Sequence, residues 1–251
     1  MKKLGFEKRY GIALRGIFST LNPIKNRFKR TECIVHKYII NNSLNSLKDN
    51  GYVDAYNFYF EYRDELLNGA VWVDLDYKSI NHFFHYRDHK GIYGFSNAYE
   101  ECMKYYDVVQ KNFAMKNFSV AAFYLGACLH LVQDVTVPQH VNNKLLKKHR
   151  YFEGWIISKV KKGYDFKSNK IERHLTVSDY FISNSNYANK VNMYYKHLDE
   201  ERRFQKISKN IISKAQSTTC GFLIDIYNQN EKLVKMENDN FTYENMTVKN
   251  A

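Results

Sequence analysis

The stretch HLVQDVTVPQH carries residue types that can bind a metal, at a spacing that a helix would bring together. His130 and Asp134 lie four residues apart, so their side chains project from one helical face about one turn apart. His140 follows closely, and HRYFE repeats the four-residue spacing with His149 and Glu153. Neutral imidazole and carboxylate groups on rigid helices suit zinc. We therefore interpret these five residues as a candidate zinc-ligand set.

A simpler interpretation exists for each residue alone. A buried histidine often bonds to a backbone carbonyl, and a His/Asp pair at this spacing often forms a simple salt bridge. The coincidence of five such residues favours a metal, because an ionised carboxylate on a very apolar helix needs compensation. Solvated charge remains the ordinary alternative for loop residues. Further candidates lie upstream, namely His36 in an apolar helix and then Asp74, Asp76, His82, His85, Asp88 and His89.

The elements that must position these residues are predicted to be helices. The chain has 251 residues with only 11 Gly and 2 Pro, which leaves few breaks. Hydrophobic periodicity predicts helices at 31–49, 54–67, 98–113, 118–135, 144–162, 177–197 and 203–228. The helix at 118–135 is the most apolar and is predicted to be central, with Pro138 ending it. The aromatic-rich stretch from Gly69 to Asn97 lacks a steady period and is interpreted as a long functional loop.

We therefore expect an all-α fold, a single multi-helix domain built around a buried central helix that carries metal ligands. Its predicted extent is 31–230, between a basic N-terminal extension at 1–30 and a polar C-terminal tail at 231–251. The four cysteines lack C-x-x-C spacing, which argues against a zinc ribbon. Cys33 and Cys128 fall in apolar helical stretches and are predicted to be buried thiols. The sequence contains no apolar run of about 18 residues, so no transmembrane helix is predicted. The N-terminus begins with basic residues, but charges interrupt its apolar stretch, and it therefore makes a poor secretory signal.

Three segments together resemble a known enzyme family. They are GAVWVDLDYKSINHFFHYRDHKGIYGFSNA, AAFYLGACLHLVQDVTVPQH and HRYFE, with HKYIINNSL upstream. In order, spacing and flanking rings they resemble the bacterial zinc-dependent phospholipases C, within the phospholipase C and single-strand nuclease superfamily and of the clostridial alpha-toxin type. The resemblance extends from about residue 31 to at least 155.

The resemblance implies up to three Zn²⁺ ions and a ligand set. Asp74 is preferred to Asp76 for its distance after the glycine, and His82 to His85 because NHFF aligns without a gap. Asp74 is also implied as a candidate general base, and Asp134 as a bridge between the first and third zinc. The implied ligands are Asp74, His82, His130 and Asp134 for the first zinc, His140, His149 and Glu153 for the second, and His36 for the third.

One departure from the family concerns the third zinc. There the family also uses the amino group and carbonyl of an N-terminal tryptophan, about a dozen residues before the first histidine. In that neighbourhood this sequence has Pro23, and neither of its two tryptophans lies there. We therefore expect the third site to be absent, weaker, or completed by processing or by another group.

The resemblance implies a phospholipase C that cleaves the glycerol-side phosphodiester bond of phosphatidylcholine-like lipids. Clustered zinc ions suit this reaction because they lower the pKa of bound water and clamp phosphoryl oxygens. We expect a phospholipid at a membrane or micelle surface as the partner, no stable nucleic-acid partner and a monomer. One alternative is a zinc-dependent single-strand nuclease or phosphatase, which the net charge of +12 would suit. The other is a lipid-binding scaffold that has lost its metals.

Overall fold

Helices form every long element in the part of the chain that the structure covers. This computed structural model describes residues 22–75, 81–92, 96–142 and 147–248. Within these ranges the predicted all-α fold is confirmed. The helices are α1 (Asn22–Asp49), α2 (Val53–Glu61), α3 (Arg63–Trp72), α4 (Ala98–Ala114), α5 (Phe118–Asp134), α6 (Pro138–Val141), α7 (Lys147–Lys161), α8 (Val177–Tyr194) and α9 (Glu200–Val248).

Helix α5 is central, as its composition predicts. From Leu125 to Thr136 every residue is buried, because α3 and α4 pack on it and α8 and α9 cover other sides. Two glycines allow α3 to approach closely. A Cβ on Gly126 would stand 2.0 Å from the carbonyl oxygen of Leu66, and one on Gly69 would stand 1.7 Å from that of Phe123. The two helices therefore meet backbone to backbone, which fixes their relative position.

A second core lies between α1, α7, α8 and α9. Ile39, Phe152, Ile156 and Ile211 are among its buried members, and it is separate from the larger core around α5. Residues at the end of α5 face both cores, so polar side chains there lie between two apolar regions. The four cysteines are buried and are not joined in disulfides, which confirms the prediction that Cys33 and Cys128 are buried thiols.

Two predicted boundaries near the site are wrong. The residues GAVW were interpreted as loop, but they complete α3, because Trp72 packs against Phe123 and Tyr124 of α5. The central helix ends at Asp134, one residue before its predicted end, but Pro138 is not the residue that ends it. Proline lacks an amide hydrogen and suits a first helical turn, so Pro138 begins α6.

Other boundaries differ at the ends of helices. A break at Tyr62 divides the predicted helix at 54–67 into α2 and α3. Helix α8 ends at Tyr194, and α9 continues far beyond residue 228, to Val248. Helix α1 begins at Asn22, inside the predicted extension at 1–30, whose first 21 residues lie outside the described part, as does the predicted helix start at residue 144. Among the described residues, none of the helices has the length and apolar character needed to cross a bilayer.

Candidate metal centre

Asp134, at the end of α5, lies at the middle of a group of imidazoles. Its Oδ2 is 2.8 Å from His82 Nδ1 and 3.1 Å from His130 Nε2, and its Oδ1 is 3.4 Å from His36 Nε2. His140 Nδ1 is 3.9 Å from Oδ2. These histidines come from α1, from the loop before α4, and from α5 and α6. Histidines from distant segments of the chain therefore surround one buried carboxylate.

A second group adjoins the first through His140. The Nε2 atoms of His140 and His149 are 3.0 Å apart. Glu153 Oε1 lies 2.8 Å from His149 Nε2 and 3.6 Å from His140 Nε2. His149 and Glu153 lie one turn apart on α7, so the helix itself sets their spacing.

The donor atoms form three sets that are compact enough to hold a cation. Within each set all donor atoms lie within 4.8 Å of one another. The eight predicted ligands therefore come together, and each belongs to at least one set. The sets are His36, His130 and Asp134; Asp74, His82 and His130; and His140, His149 and Glu153.

Backbone carbonyls orient two of the imidazoles. His130 Nδ1 donates to the carbonyl oxygen of Ala70 at 2.8 Å, and His140 Nδ1 donates to that of His82 at 3.1 Å. A carbonyl oxygen can only accept, so in the neutral ring each Nδ1 holds the proton and each Nε2 presents a lone pair. Such outer hydrogen bonds fix the tautomer of metal-binding histidines. The close approach of α3 to α5 is what places Ala70 at this distance.

Gln133 does the same for the third imidazole. Its Oε1 accepts from His36 Nδ1 at 2.8 Å, and its Nε2 donates to Thr219 Oγ1 at 3.1 Å. Since the amide nitrogen is engaged by α9, the amide oxygen faces α1. His36 Nε2 is then left with its lone pair toward Asp134.

The loop that carries His82 is anchored to α6. Phe84 N donates to the carbonyl oxygen of His140 at 3.2 Å, and Tyr86 N donates to that of Val141 at 3.1 Å. The Phe83 ring stacks on His140 with centroids 4.9 Å apart. These contacts hold His82 at the centre although it belongs to no long helix.

The electrostatics of the centre depend on the carboxylates. Burial alone would raise the pKa of Asp134, but His130 and His140 outweigh it and hold that pKa well below its usual range. Burial alone would lower the pKa of His140, but Asp134 and Glu153 raise it to about 9. Burial would likewise raise the pKa of Glu153, yet hydrogen bonds from its two histidines lower it to about 2. Burial, reinforced by His130, lowers the pKa of His36 to about 4.

The donor set fits a metal ion better than a hydrogen-bond network. His82 Nε2 and Asp134 Oδ2 are buried polar atoms that have no partner in hydrogen-bond geometry among the described residues, despite the nitrogens near Oδ2. His130 Nε2 has no proton to give in its neutral form, since Nδ1 holds it. Buried polar atoms without partners are costly, and a bound cation would satisfy them together.

A cavity of about 60 Å³ opens beside the centre. On one side it meets His36, Asp134 and Glu153, each from a different helix. Its other side is mainly aliphatic and is formed by Val35, Ile39, Ile156, Ile157, Ile211 and Ile212. The cavity therefore places an apolar wall next to the metal-ligand set.

The remaining loop candidates lie elsewhere. His85 Nδ1 lies 2.8 Å from Asp88 Oδ1 at the surface, and His89 is exposed with a φ of 57°. Asp76 lies outside the described residues. Around Pro23, where the resemblance implies an extra ligand, the backbone is part of α1 and lies about 20 Å along the helix axis from His36.

Sequence reasoning missed the positioning roles of Gln133 and of the Ala70 carbonyl. Gln133 precedes Asp134 directly, but nothing in a spacing pattern shows that its amide contacts His36. Sequence reasoning also predicted only that Cys33 is a buried thiol, although Cys33 lies about one helical turn before His36. Its Sγ is 3.8 Å from Asp74 Oδ2.

Comparisons with known proteins identify a family by its sequence model and a fold by similar structures. The family described as zinc dependent phospholipase C matches residues 35–204 of this chain by its sequence model. The chain is similar in structure to an alpha toxin from Clostridium absonum, with a TM-score of 0.68 and 14% identity over 78% of this chain and 63% of that chain. It is also similar to the alpha-toxin of Clostridium perfringens from avian strain SWCP, with a TM-score of 0.60 and 16% identity over 81% of this chain and 64% of that chain.

The structural matches cover a larger share of this chain than of the toxin chains. This chain spans less than two thirds of the length of either toxin chain. A comparison with curated protein sequences gives no match.

Proposed function

This chain belongs to the zinc-dependent phospholipase C family, and from that premise we propose that it hydrolyses the glycerol-side phosphodiester bond of phosphatidylcholine-like phospholipids. The products are diacylglycerol and a phosphorylated head group. The partner is a phospholipid at a membrane or micelle surface, and the chain acts as a monomer.

The eight clustered side chains serve as zinc ligands in this proposal. Neutral imidazoles with their Nε2 lone pairs turned inward, together with buried carboxylates, form the donor set that zinc prefers. Zinc ions bound here supply Lewis acidity to the phosphoryl oxygens and make water a stronger nucleophile at neutral pH. The protein's own contribution is to hold the donors rigid, through the α3–α5 contact and the hydrogen bonds to Nδ1 atoms.

Asp74 is proposed as a ligand and as the general base. It lies two residues after the end of α3, is 7% exposed, and shares a donor set with His82 and His130. Its carboxylate would take up the proton of the attacking water, because a proton acceptor within the ligand cluster lies close to the site of attack.

The observation that carries the choice of a lipid substrate is the aliphatic wall of the cavity. A phosphodiester reaching Asp134 and Glu153 has Val35, Ile39 and Ile156 beside it. Such a wall suits the glycerol and acyl part of a phospholipid, whereas single-stranded nucleic acid is usually bound on aromatic stacking surfaces. The described lining of this cavity contains no Phe, Tyr or Trp side chain.

The test is hydrolysis of phosphatidylcholine in mixed micelles by the zinc-loaded protein, with both products identified. We expect diacylglycerol and phosphocholine. Phosphatidic acid and choline, or no product from protein with full zinc content, would contradict the proposal.

Single-stranded DNA is the matched second substrate. Faster hydrolysis of DNA than of phosphatidylcholine would assign the chain to the nuclease alternative. Zinc analysis of the same preparation separates an enzyme from a degenerate scaffold, which would bind one ion or none.

A further inference from the structure

The most accessible carboxylate of the metal centre belongs to Glu153 on α7. Its side chain is 24% exposed, whereas those of His82 and His130 are 2% exposed. Glu153 also lines the cavity that adjoins the centre. A phospholipid that reaches the centre at this ligand lies beside α7, so the surface around α7 is the part of the protein next to the bilayer.

Aromatic side chains on α7 contact the start of α9 at this surface. Tyr151, two residues before Glu153, is 58% exposed, and its ring centroid lies 5.6 Å from that of Phe204. Trp155, about one turn later, is half-buried and lies 6.1 Å from the same ring. Tyr and Trp are enriched at membrane interfaces, because the body of the side chain is apolar and its polar tip stays hydrated.

The end of α8 also contacts the start of α9. Arg203 Nη2 donates to Asn192 Oδ1 at 2.7 Å. Directly after Asn192, Met193 is 51% exposed and Tyr194 is 69% exposed. The first turns of α9 are therefore flanked by exposed apolar side chains from two other helices.

These first turns of α9 present a basic stripe to solvent. Arg202, Lys206 and Lys209 are exposed and lie at intervals of four and three residues, so they share one face of the helix. The segments 150–162 and 190–209 together carry ten Lys and Arg residues and only four Asp and Glu residues. This excess of positive charge attracts an anionic surface.

The acidic residues at the start of α9 are engaged within the protein. Glu201 accepts a hydrogen bond from Trp155 Nε1 at 2.8 Å and lies 3.5 Å from Lys159 Nζ. Asp199 Oδ2 lies 3.2 Å from Arg202 Nε, in an exposed pair that contributes little to stability. These contacts leave the basic stripe with its net positive charge.

We propose that this surface docks the protein on a bilayer that contains anionic phospholipids. Exposed rings and a methionine enter the headgroup region, and the cations of the stripe meet lipid phosphates and carboxylates. The choice of a lipid partner rests on the proposed function and on the aliphatic cavity wall beside the centre. The docking face consists of Tyr151, Met193, Tyr194, Arg202, Lys206 and Lys209.

Vesicle binding, followed by stopped-flow energy transfer before hydrolysis proceeds, tests the charges. We expect the zinc-loaded protein to bind phosphatidylcholine vesicles with about 30% phosphatidylserine more tightly than pure phosphatidylcholine vesicles, and salt to reduce the difference. Each basic side chain near an anionic membrane contributes about fivefold in affinity, so neutralising the stripe should weaken binding about 100-fold. This charge variant is Arg202→Gln, Lys206→Gln, Lys209→Gln.

The matched control removes the same charge from exposed positions elsewhere and should bind nearly as the wild type does. It is Lys111→Gln, Lys170→Gln, Lys232→Gln. For the rings, Tyr151→Ser with Tyr194→Ser should also weaken vesicle binding. Its control is Phe60→Ser, which removes a ring that is 57% exposed on α2.

Hydrolysis separates docking from chemistry. Because the docking face contains none of the proposed metal ligands, the charge variant and the ring variant should hydrolyse monomeric short-chain phosphatidylcholine as the wild type does. At low concentrations of anionic vesicles, both should hydrolyse the lipid more slowly, by the factor that vesicle binding loses.

Equal binding of the wild type to the two kinds of vesicle overturns the inference, as does an equal loss in the charge variant and its control. A charge variant that loses affinity for single-stranded DNA but keeps it for vesicles also overturns it. Loss of monomer hydrolysis in both variants does so too, because their side chains then act in the fold or the centre. A wild type that binds anionic vesicles but hydrolyses no phosphatidylcholine overturns the proposed function and leaves the docking face.

Discussion

At the scale of single residues, the proposed metal binding depends on the orientation of each imidazole ring. His36, His130 and His140 each donate from Nδ1 to a fixed oxygen, and this leaves Nε2 toward the carboxylates. A histidine that was free to rotate would lose entropy on binding zinc, whereas these three are already oriented. Substitution of a ligand histidine should therefore lower zinc content and activity, whereas substitution of a histidine outside the centre should change neither.

His130→Ala should abolish hydrolysis and remove at least one zinc ion, because His130 belongs to two donor sets. Zinc content and phosphatidylcholine hydrolysis are measured on the same preparation. The control is His85→Ala, which removes a histidine that pairs with Asp88 at the surface and should leave both readouts nearly unchanged. Full activity of His130→Ala would contradict the ligand set. Inactivity of His85→Ala would indicate that His85, and not His82, is the zinc ligand from this loop.

Zinc affinity should rise with pH because zinc must displace a proton from His140. The pKa of His140 is about 9 without metal, so the group is protonated at pH 7 and becomes available as pH rises. Glu153, with a pKa of about 2, and His36, with a pKa of about 4, are already deprotonated and add no dependence. Burial would lower the pKa of His130, but Asp134 raises it, so this ligand adds to the dependence. Competition against a zinc indicator should show affinity rising by at least about tenfold per unit between roughly pH 6.5 and 8.5. A flat profile would contradict the proton displacement.

At the scale of helices, the centre is built where α5 meets its neighbours. Helix α5 contributes His130 and Asp134, and α3 packs against it closely enough to supply the Ala70 carbonyl. The contact exists because Gly69 and Gly126 have no Cβ. Helix packing and metal binding are consequently coupled at this contact.

Gly126→Ala should destabilise the protein by about 3 kcal/mol or more, because the new Cβ would meet the Leu66 carbonyl and neither backbone can yield easily. It should also lower zinc content, since α3 must move the Ala70 carbonyl away from His130. Urea unfolding and metal analysis measure the two effects.

Gly154→Ala is the matched control for that substitution. A Cβ at this exposed position of α7 meets nothing within 4 Å, so stability should hold or rise by about 0.5–1 kcal/mol. Equal effects of the two alanines would show that helix propensity, and not the α3–α5 contact, is being measured.

At the scale of the whole molecule, the centre joins two apolar cores. The larger core surrounds α5 and the smaller one lies between α1, α7, α8 and α9, with Asp134, His36 and Glu153 at their boundary. Without a cation, buried carboxylates and imidazoles at this boundary are imperfectly paired. We propose that the folded domain is 31–230, flanked by segments 1–30 and 231–251; the family match at 35–204 lies within it.

Removal of metal should lower the melting temperature and zinc should restore it. A ligand present at 1,000 times its dissociation constant stabilises the native state by about 4 kcal/mol per site. Differential scanning calorimetry after chelation, with zinc or magnesium added back, measures the effect. Magnesium should not restore stability because it prefers oxygen ligands and is a poor match for imidazoles. An unchanged melting temperature after chelation would contradict a metal centre between the cores.

The amino-acid sequence alone determined the helical class, the apolar central helix and the pairs His130/Asp134 and His149/Glu153, because these depend on spacings of three to four residues. It also supported the family, whose motifs are local strings. Only the tertiary structure decided that Gly69 and Gly126 face each other's helices, that Gln133 and the Ala70 carbonyl orient imidazoles, and that Cys33 faces Asp74. Those contacts join residues 41 to 97 positions apart. Their geometry follows from how the helices pack against one another, and local sequence patterns do not predict that packing.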